Sequence, residues 1–199
     1  MIAIRIVLSG GKHPSKPSAW SGFTLIEMLI VVAVVAIGLS LAAPSWHALV
    51  QKNQLRQSAA HLLDSVVAAR SEAVLRNLPV TLCPSAMHES GEPECDGHYG
   101  DGWIVFANAD KDREVDADED EVLHVYPPLP SSIGLTNKAG TANISAAIHY
   151  LPDGSSRRNM TLMLCSIRLP SLSSLSLVLN IVGRPRMQAG WGECPEVVT

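Results

Sequence analysis

A chain of 199 residues with a formal net charge of −4 has room for one ordinary domain and little beyond an added helix. Its 15 Lys and Arg are outnumbered by 19 Asp and Glu, which excludes nucleic-acid binding driven by overall charge. Only a local basic patch would serve such a role.

The first residues, Met1 to Gly22, contain Arg5, Lys12 and Lys16 and no acid. From Phe23 to Ala43 the chain is apolar, with Glu27 as its one charge. As a helix these residues extend about 31 Å, which matches the hydrocarbon core of a bilayer. A carboxylate inside such a segment is costly and reads as functional. A secretory signal peptide is cut after its apolar run. Here the glycine suited to a cut, Gly22, precedes the run, so cleavage there removes the basic leader and keeps the apolar helix. The product has 177 residues, with 12 basic against 19 acidic side chains and a net charge of −7.

Gly22-Phe23-Thr24-Leu25-Ile26-Glu27 resembles the prepilin peptidase motif of type IV pilins and type II secretion pseudopilins. The resemblance implies cleavage after Gly22, N-methylation of Phe23, and Glu27 as the fifth mature residue. It also implies that Pro44 stands where pilins commonly carry a helix-kinking proline. The implied partners are the prepilin peptidase, other pilins or pseudopilins along the N-terminal helix, and the inner membrane. The leader cations stay cytoplasmic by the positive-inside rule, which puts the rest of the chain in the periplasm, or outside the cell once assembled.

Glu27 has a specific expected task. Cleavage gives Phe23 a cationic amine, and a carboxylate left alone in an apolar filament core costs several kcal/mol. A neighbouring subunit's Phe23 amine neutralises it, so correct axial register is the arrangement without an unpaired charge. The alternative is a carboxylate that snorkels to the headgroups.

After Pro44 the pattern becomes amphipathic. Leu55, Ala59, Leu62, Leu63, Val66, Ala69, Ala73 and Val74 recur at three- and four-residue steps. Pro44 is expected to kink or loosen the helix, and Pro79 to stop it near Asn77. Short apolar runs follow, at Val80–Cys83, Trp103–Phe106, Val122–Tyr126, Ile144–Tyr150, Met160–Cys165 and Leu175–Val182. A helix followed by strands predicts an α+β domain with antiparallel sheets. The expected layout is 1–22 leader, 23–43 transmembrane or filament-core helix, 44–78 amphipathic continuation, and 79–199 β-rich domain.

Several later stretches resemble the GspH/FimT pilin family: Ala69-Arg70-Ser71-Glu72-Ala73, Arg76-Asn77, Val80 to Ser85, Gly102 to Phe106, Thr161 to Cys165, and Gly183-Arg184-Pro185-Arg186. That family implies the type IV pilin fold, a long N-terminal helix packed on antiparallel sheets, and work as a minor pilin or minor pseudopilin. Gly183-Arg184-Pro185-Arg186 further resembles the Gly-Arg-x-Arg element with which FimT-type pilins bind double-stranded DNA in natural transformation. In extended chain Arg184 and Arg186 project to one side, and paired guanidinium groups suit phosphate oxygens. Arg157, Arg158 and Arg168 would widen the patch if the fold gathered them. The plain alternative is two exposed arginines closing a strand end or pairing with a neighbouring pilin's acids.

Cys83, Cys95, Cys165 and Cys194 allow three pairings. The preferred one joins Cys83 to Cys95 and Cys165 to Cys194, in an oxidising compartment. A zinc set of Cys83, His88, Cys95 and His98 has no common zinc spacing. In the acidic run Asp110 to Glu121, Asp116-x-Asp118-x-Asp120 echoes a calcium loop. However, Glu121 and Pro127 stand where that loop needs Gly and Glu, so a solvated hairpin tip is expected. No Gly-rich phosphate loop with a lysine and no Gly-x-Ser-x-Gly elbow occurs, and the seven His are scattered. Neither a cofactor nor a catalytic site is expected.

Overall fold

A computed structural model describes residues 22–110, 114–116, 119–192 and 194, apart from the side chains of 41–44. The leader cations Arg5, Lys12 and Lys16, the acids Asp112, Asp118, Glu193 and Glu196, and the ring of Pro44 therefore lie outside the described residues. Helix α1 spans Leu25–Arg76 and is not ended by Pro44. Two compact units divide at this point, 1–43 and 44–199.

In the first unit, the described part of the helix exposes every apolar side chain from Leu25 to Leu39. It contains a window of mean hydropathy 2.7, long and apolar enough to cross a bilayer. The helix starts on Thr24, whose Oγ1 accepts the Glu27 N–H at 3.3 Å. Thr24-x-x-Glu27 is thus a capping-box spacing, and Glu27 also places its negative charge at the positive end of the helix dipole.

The second unit builds its own core. Leu55, Ala59, Leu62, Val66, Ala69 and Ala73 of α1 are buried against both sheets. Ala69 and Ala73 are fully buried, and their small side chains let the backbone lie close to the strands. Arg76 ends the helix, and Asn77 follows at φ 54°, a left-handed position that asparagine tolerates.

The strands are β1 Val80–Pro84, β2 Trp103–Ala107, β3 Glu121–Tyr126, β4 Ile133–Thr136, β5 Ile148–Tyr150, β6 Met160–Ser166, β7 Leu175–Leu179 and β8 Pro185–Ala189, with a short helix α2, Met87–Ser90. Two four-stranded sheets form, ordered β3-β2-β1-β5 and β4-β6-β7-β8. All pairings are antiparallel. The arrangement is the expected α+β one, a long helix with antiparallel sheets.

Strands β1 and β2 are buried along their whole length. One face packs on α1, and the other carries a second cluster of Cys83, Ile104, Phe106 and Ala147, covered by Met87 of α2 and by Cys95 and Val115 from the loops. A disulfide from Cys83 to Cys95 holds that cover down. A second, Cys165 to Cys194, ties the segment after β8 to β6. Among the described residues the core clusters begin at Leu55.

Four of the expected strands are each longer by one residue, and larger departures from the periodicity reading occur elsewhere. The strand expected at Ile144–Tyr150 shrinks to Ile148–Tyr150, which pairs with Val80 to Leu82, because the Ala146 and Ala147 carbonyls accept from the Tyr99 hydroxyl and the Arg158 guanidinium instead. The run Leu175–Val182 ends at Leu179, where Asn180 begins a turn. Strands β4 and β8 were not legible. Gly134 interrupts the first, and the second opens on proline and carries Arg186 and Gln188, as an edge strand tolerates.

Candidate functional site

Between β7 and β8 the chain turns through Asn180 to Gly183, and Arg184 and Arg186 follow. The Gly183 N–H donates to the Asn180 carbonyl at 2.8 Å. The Asn180 Oδ1 accepts the Arg184 N–H at 3.1 Å, so one side chain closes the turn and fixes the arginine's backbone. The neighbouring loop holds the turn from its side. Ser156 N–H donates to the Ile181 carbonyl at 3.0 Å, and Ile181 N–H donates to Asn159 Oδ1 at 2.9 Å.

Gly183 is buried at φ 79°. A Cβ there would lie 2.0 Å from the Gly154 carbonyl oxygen, so glycine is required by contact as well as by conformation. That same oxygen accepts the Arg70 Nε–H of helix α1 at 2.9 Å. On the other side, the Tyr150 hydroxyl donates to the Gly183 carbonyl at 3.3 Å. Burial pushes the Tyr150 phenol well above its ordinary pKa, with Arg70 opposing, so it keeps its proton and its donor role. A helix residue, a strand residue and two loops thus converge to aim one short segment.

Arg184 and Arg186 are both exposed, on either side of half-buried Pro185. Met187 packs against the core, so with period two Arg186 and Arg184 face outward together. Among the described residues neither has an acidic partner within ion-pair distance. Beside them lies an open groove of about 480 Å³, lined by Val67, Arg70, Ser71, Val74, Leu75 and Pro185.

The other arginines separate. Arg157 is exposed next to Ser156, in the loop bonded to the turn, and belongs with the pair. Arg158 gives an Nη2–H to the Ala147 carbonyl at 3.1 Å and is engaged in holding β5. Arg168 does not widen the patch. It follows Ser166, whereas the turn follows Leu179, which is paired with Met160. The length of β6, about 20 Å, separates the two places. One acid lies close: Asp153, beside Gly154. The Ser155 hydroxyl and N–H hold its carboxyl below the usual carboxylate range, so it is anionic at neutral pH.

Arg70, Tyr150, Gly154, Asn159 and Asn180 escaped sequence reasoning as site residues. Arg70 carried a signal, since it stands within the Ala69 to Ala73 stretch; the rest act through contacts distant in sequence. The zinc alternative fails because Cys83 and Cys95 are bonded to each other. In the acidic loop the Asp116 N–H donates to Asp120 Oδ2 at 3.1 Å, and Asp118, the middle acid of the calcium-like spacing, lies outside the described residues. At the N-terminus, exposed Glu27 has no ion-pair partner among the described residues, which leaves its carboxylate available.

Residues 58–183 match the family described as type II transport protein GspH, and residues 21–43 match the prokaryotic N-terminal methylation motif. No curated protein matches the chain. Among solved structures, the type IV minor pilin FimU of Pseudomonas aeruginosa is 15% identical with a TM-score of 0.51, over 69% of this chain and 90% of that one. The minor pseudopilin EpsH from the Type 2 Secretion System of Vibrio cholerae is 14% identical with a TM-score of 0.47, over 68% of this chain and 97% of that one. The first likeness shows the shared fold.

Proposed function

The chain belongs to the GspH family of type II transport proteins, and from that premise we propose that it is a minor type IV pilin that captures double-stranded DNA through Arg184 and Arg186. In this reading the prepilin peptidase cuts after Gly22 and methylates Phe23. The apolar helix first holds the protein in the inner membrane with its domain in the periplasm. The same helix then joins the filament, with Glu27 answered by the amine of an adjacent subunit. The role is structural rather than catalytic, and DNA capture serves uptake in natural transformation.

One observation supports the DNA reading above all. Two exposed guanidinium groups, without acidic partners among the described residues, follow a turn held by Arg70, Tyr150, Asn180 and Asn159. A rigid support lowers the ordering cost of binding phosphates. Two phosphate contacts give a log–log salt slope of about −1.8, and Arg157 would steepen it to about −2.7. Binding by one subunit is therefore weak and largely independent of sequence.

Titrating duplex DNA into the soluble domain, residues 51–199, at several salt concentrations tests this. The expected result is a shift that the Arg184→Gln/Arg186→Gln pair abolishes. Equal binding by both proteins would remove this site.

A second reading is a minor pseudopilin of type II secretion without DNA binding. It is favoured by the match to a type II transport family and by the acidic mature chain. Loss of transformation with pili intact in the arginine variant supports the pilin reading. Loss of secretion in a deletion strain supports the pseudopilin.

A further inference from the structure

The turn that precedes Arg184 is apolar at its tip. Its closing bond runs from the Gly183 N–H to the Asn180 carbonyl, so Ile181 and Val182 are the two central residues. Asn at the first place and Gly at the fourth are ordinary turn choices, whereas the centre of an exposed turn belongs to Pro, Asp, Ser or Gly. Two β-branched aliphatic residues there break the local rule, and breaks of this kind are expected at functional sites. Ile181 is 58% exposed and Val182 54%, so both present apolar surface to solvent. Neither belongs to a core cluster. The tip is also held in place, because Ile181 gives its N–H to Asn159 Oδ1 and its carbonyl accepts the Ser156 N–H.

Cations flank this tip. Arg157 stands between Ser156 and Asn159, the two residues that grip Ile181. Arg184 is three residues further along, at most about 11 Å of chain, and Arg186 shares its outward side. None of the three has an acidic partner within ion-pair distance among the described residues. An apolar projection between cations suits a groove walled by sugars and phosphates. The minor groove of duplex DNA is about 6 Å wide, which aliphatic side chains can fill while longer guanidinium stems reach the phosphates on its rims. The major groove, about 12 Å wide, would leave the tip in water. Filling the minor groove has a consequence for base composition. Its floor shows only acceptors at A·T pairs, and a G·C pair adds the guanine amino group. An aliphatic tip offers that donor no partner and shuts water out, a penalty of about fivefold in affinity at its low end. We propose that Ile181 and Val182 seat in the minor groove of duplex DNA, between phosphates held by Arg157, Arg184 and Arg186, and select A·T pairs by rejecting the guanine amino group. The proposal rests on the DNA reading above and adds to it a modest preference for base composition.

The test titrates the full-length protein, in neutral detergent, with duplexes of alternating A·T, I·C or G·C pairs. Inosine is guanine without the amino group, so an I·C pair has the minor-groove floor of A·T and the major-groove edge of G·C. The expected result is equal binding to A·T and I·C, each about fivefold tighter than to G·C. This comparison uses the unaltered protein and does not depend on the folding of any variant. Ile181→Ser/Val182→Ser should abolish the preference and lose about tenfold in affinity for A·T, as expected for the exposed halves of two aliphatic side chains. The salt slope should stay the same, because the phosphate contacts remain. Binding of I·C like G·C would put the tip outside the minor groove. Equal affinity for all three duplexes, or a preference that survives in the variant, would mean that the tip touches no base. Each of these overturns the proposal and leaves the contacts of Arg184 and Arg186 with phosphate to their own variant. A variant that binds DNA as before but no longer self-associates in sedimentation would assign the tip to a subunit contact and overturns it too. Failure of the unaltered protein to bind any duplex removes both readings.

Discussion

At the scale of single residues, Gly183 is the position with least freedom. A methyl group there meets the Gly154 carbonyl, and the left-handed backbone adds strain. Gly183→Ala should cost about 2–3 kcal/mol, measured as a shift in urea midpoint, and should weaken DNA binding although both arginines remain. Arg70 offers a cleaner separation. Arg70→Ala removes the bond to the Gly154 carbonyl at 2.9 Å and leaves Arg184 and Arg186 in place. If support matters, duplex affinity falls severalfold while the salt slope stays near −1.8, because the number of phosphates contacted is unchanged. An unchanged affinity would mean that the turn holds itself. Asp153 acts in the opposite sense. Its carboxyl is held below the ordinary range by Ser155, so it opposes phosphate through the whole neutral range. Asp153→Asn should strengthen DNA binding at low salt, with the gain fading as salt rises; a weaker complex would place the DNA elsewhere. The arginine pair was legible because its spacing is local. Its support was not, since Arg70 and Gly154 are 84 residues apart.

At the scale of elements, the helix was the most legible part of the chain. Its apolar period marked the face that packs on both sheets, and Leu62, Val66, Ala69 and Ala73 are fully buried there. Leu62→Ala should cost about 2–5 kcal/mol in thermal or urea unfolding of the domain, as a buried cavity does. The helix start held information that went unread. Thr24 caps the helix by accepting the Glu27 N–H, and the Glu27 carboxylate lies at the positive end of the helix dipole. The strands were legible where both faces are buried, as in β1 and β2. They were not legible at the sheet edge, where β8 begins with proline and has polar Arg186 and Gln188 among its five residues. Arg186 lies in that strand, so its backbone is fixed by β7 rather than by a free tail. The segment after β8 is held in turn by Cys165–Cys194 across 29 residues. By loop entropy, replacing both cysteines by serine should lower stability by about 3.5 kcal/mol, with the loss absent when the unaltered protein is reduced first.

At the scale of the whole molecule, charge is distributed rather than summed. A chain of net charge −4 presents Arg157, Arg184 and Arg186 at one end of its domain and Lys52 and Arg56 at the other. The acids gather in the loops that cover the outer face of β1 and β2. Bulk composition could not reveal this, because the basic groups meet only through pairings such as Leu179 with Met160 and Leu175 with Ala189. The proposed filament role requires that the apolar helix survive maturation with a new amine at Phe23 and with Glu27, which has no ion-pair partner among the described residues. Glu27→Ala should leave cleavage and membrane insertion intact and reduce incorporation into filaments, scored by immunoblotting sheared pili against membranes. The measurement that tests the account most directly is mass spectrometry of the N-terminal peptide from the protein purified out of membranes. A peptide that begins at N-methylated Phe23 is the predicted result, and one that begins anywhere else contradicts the account.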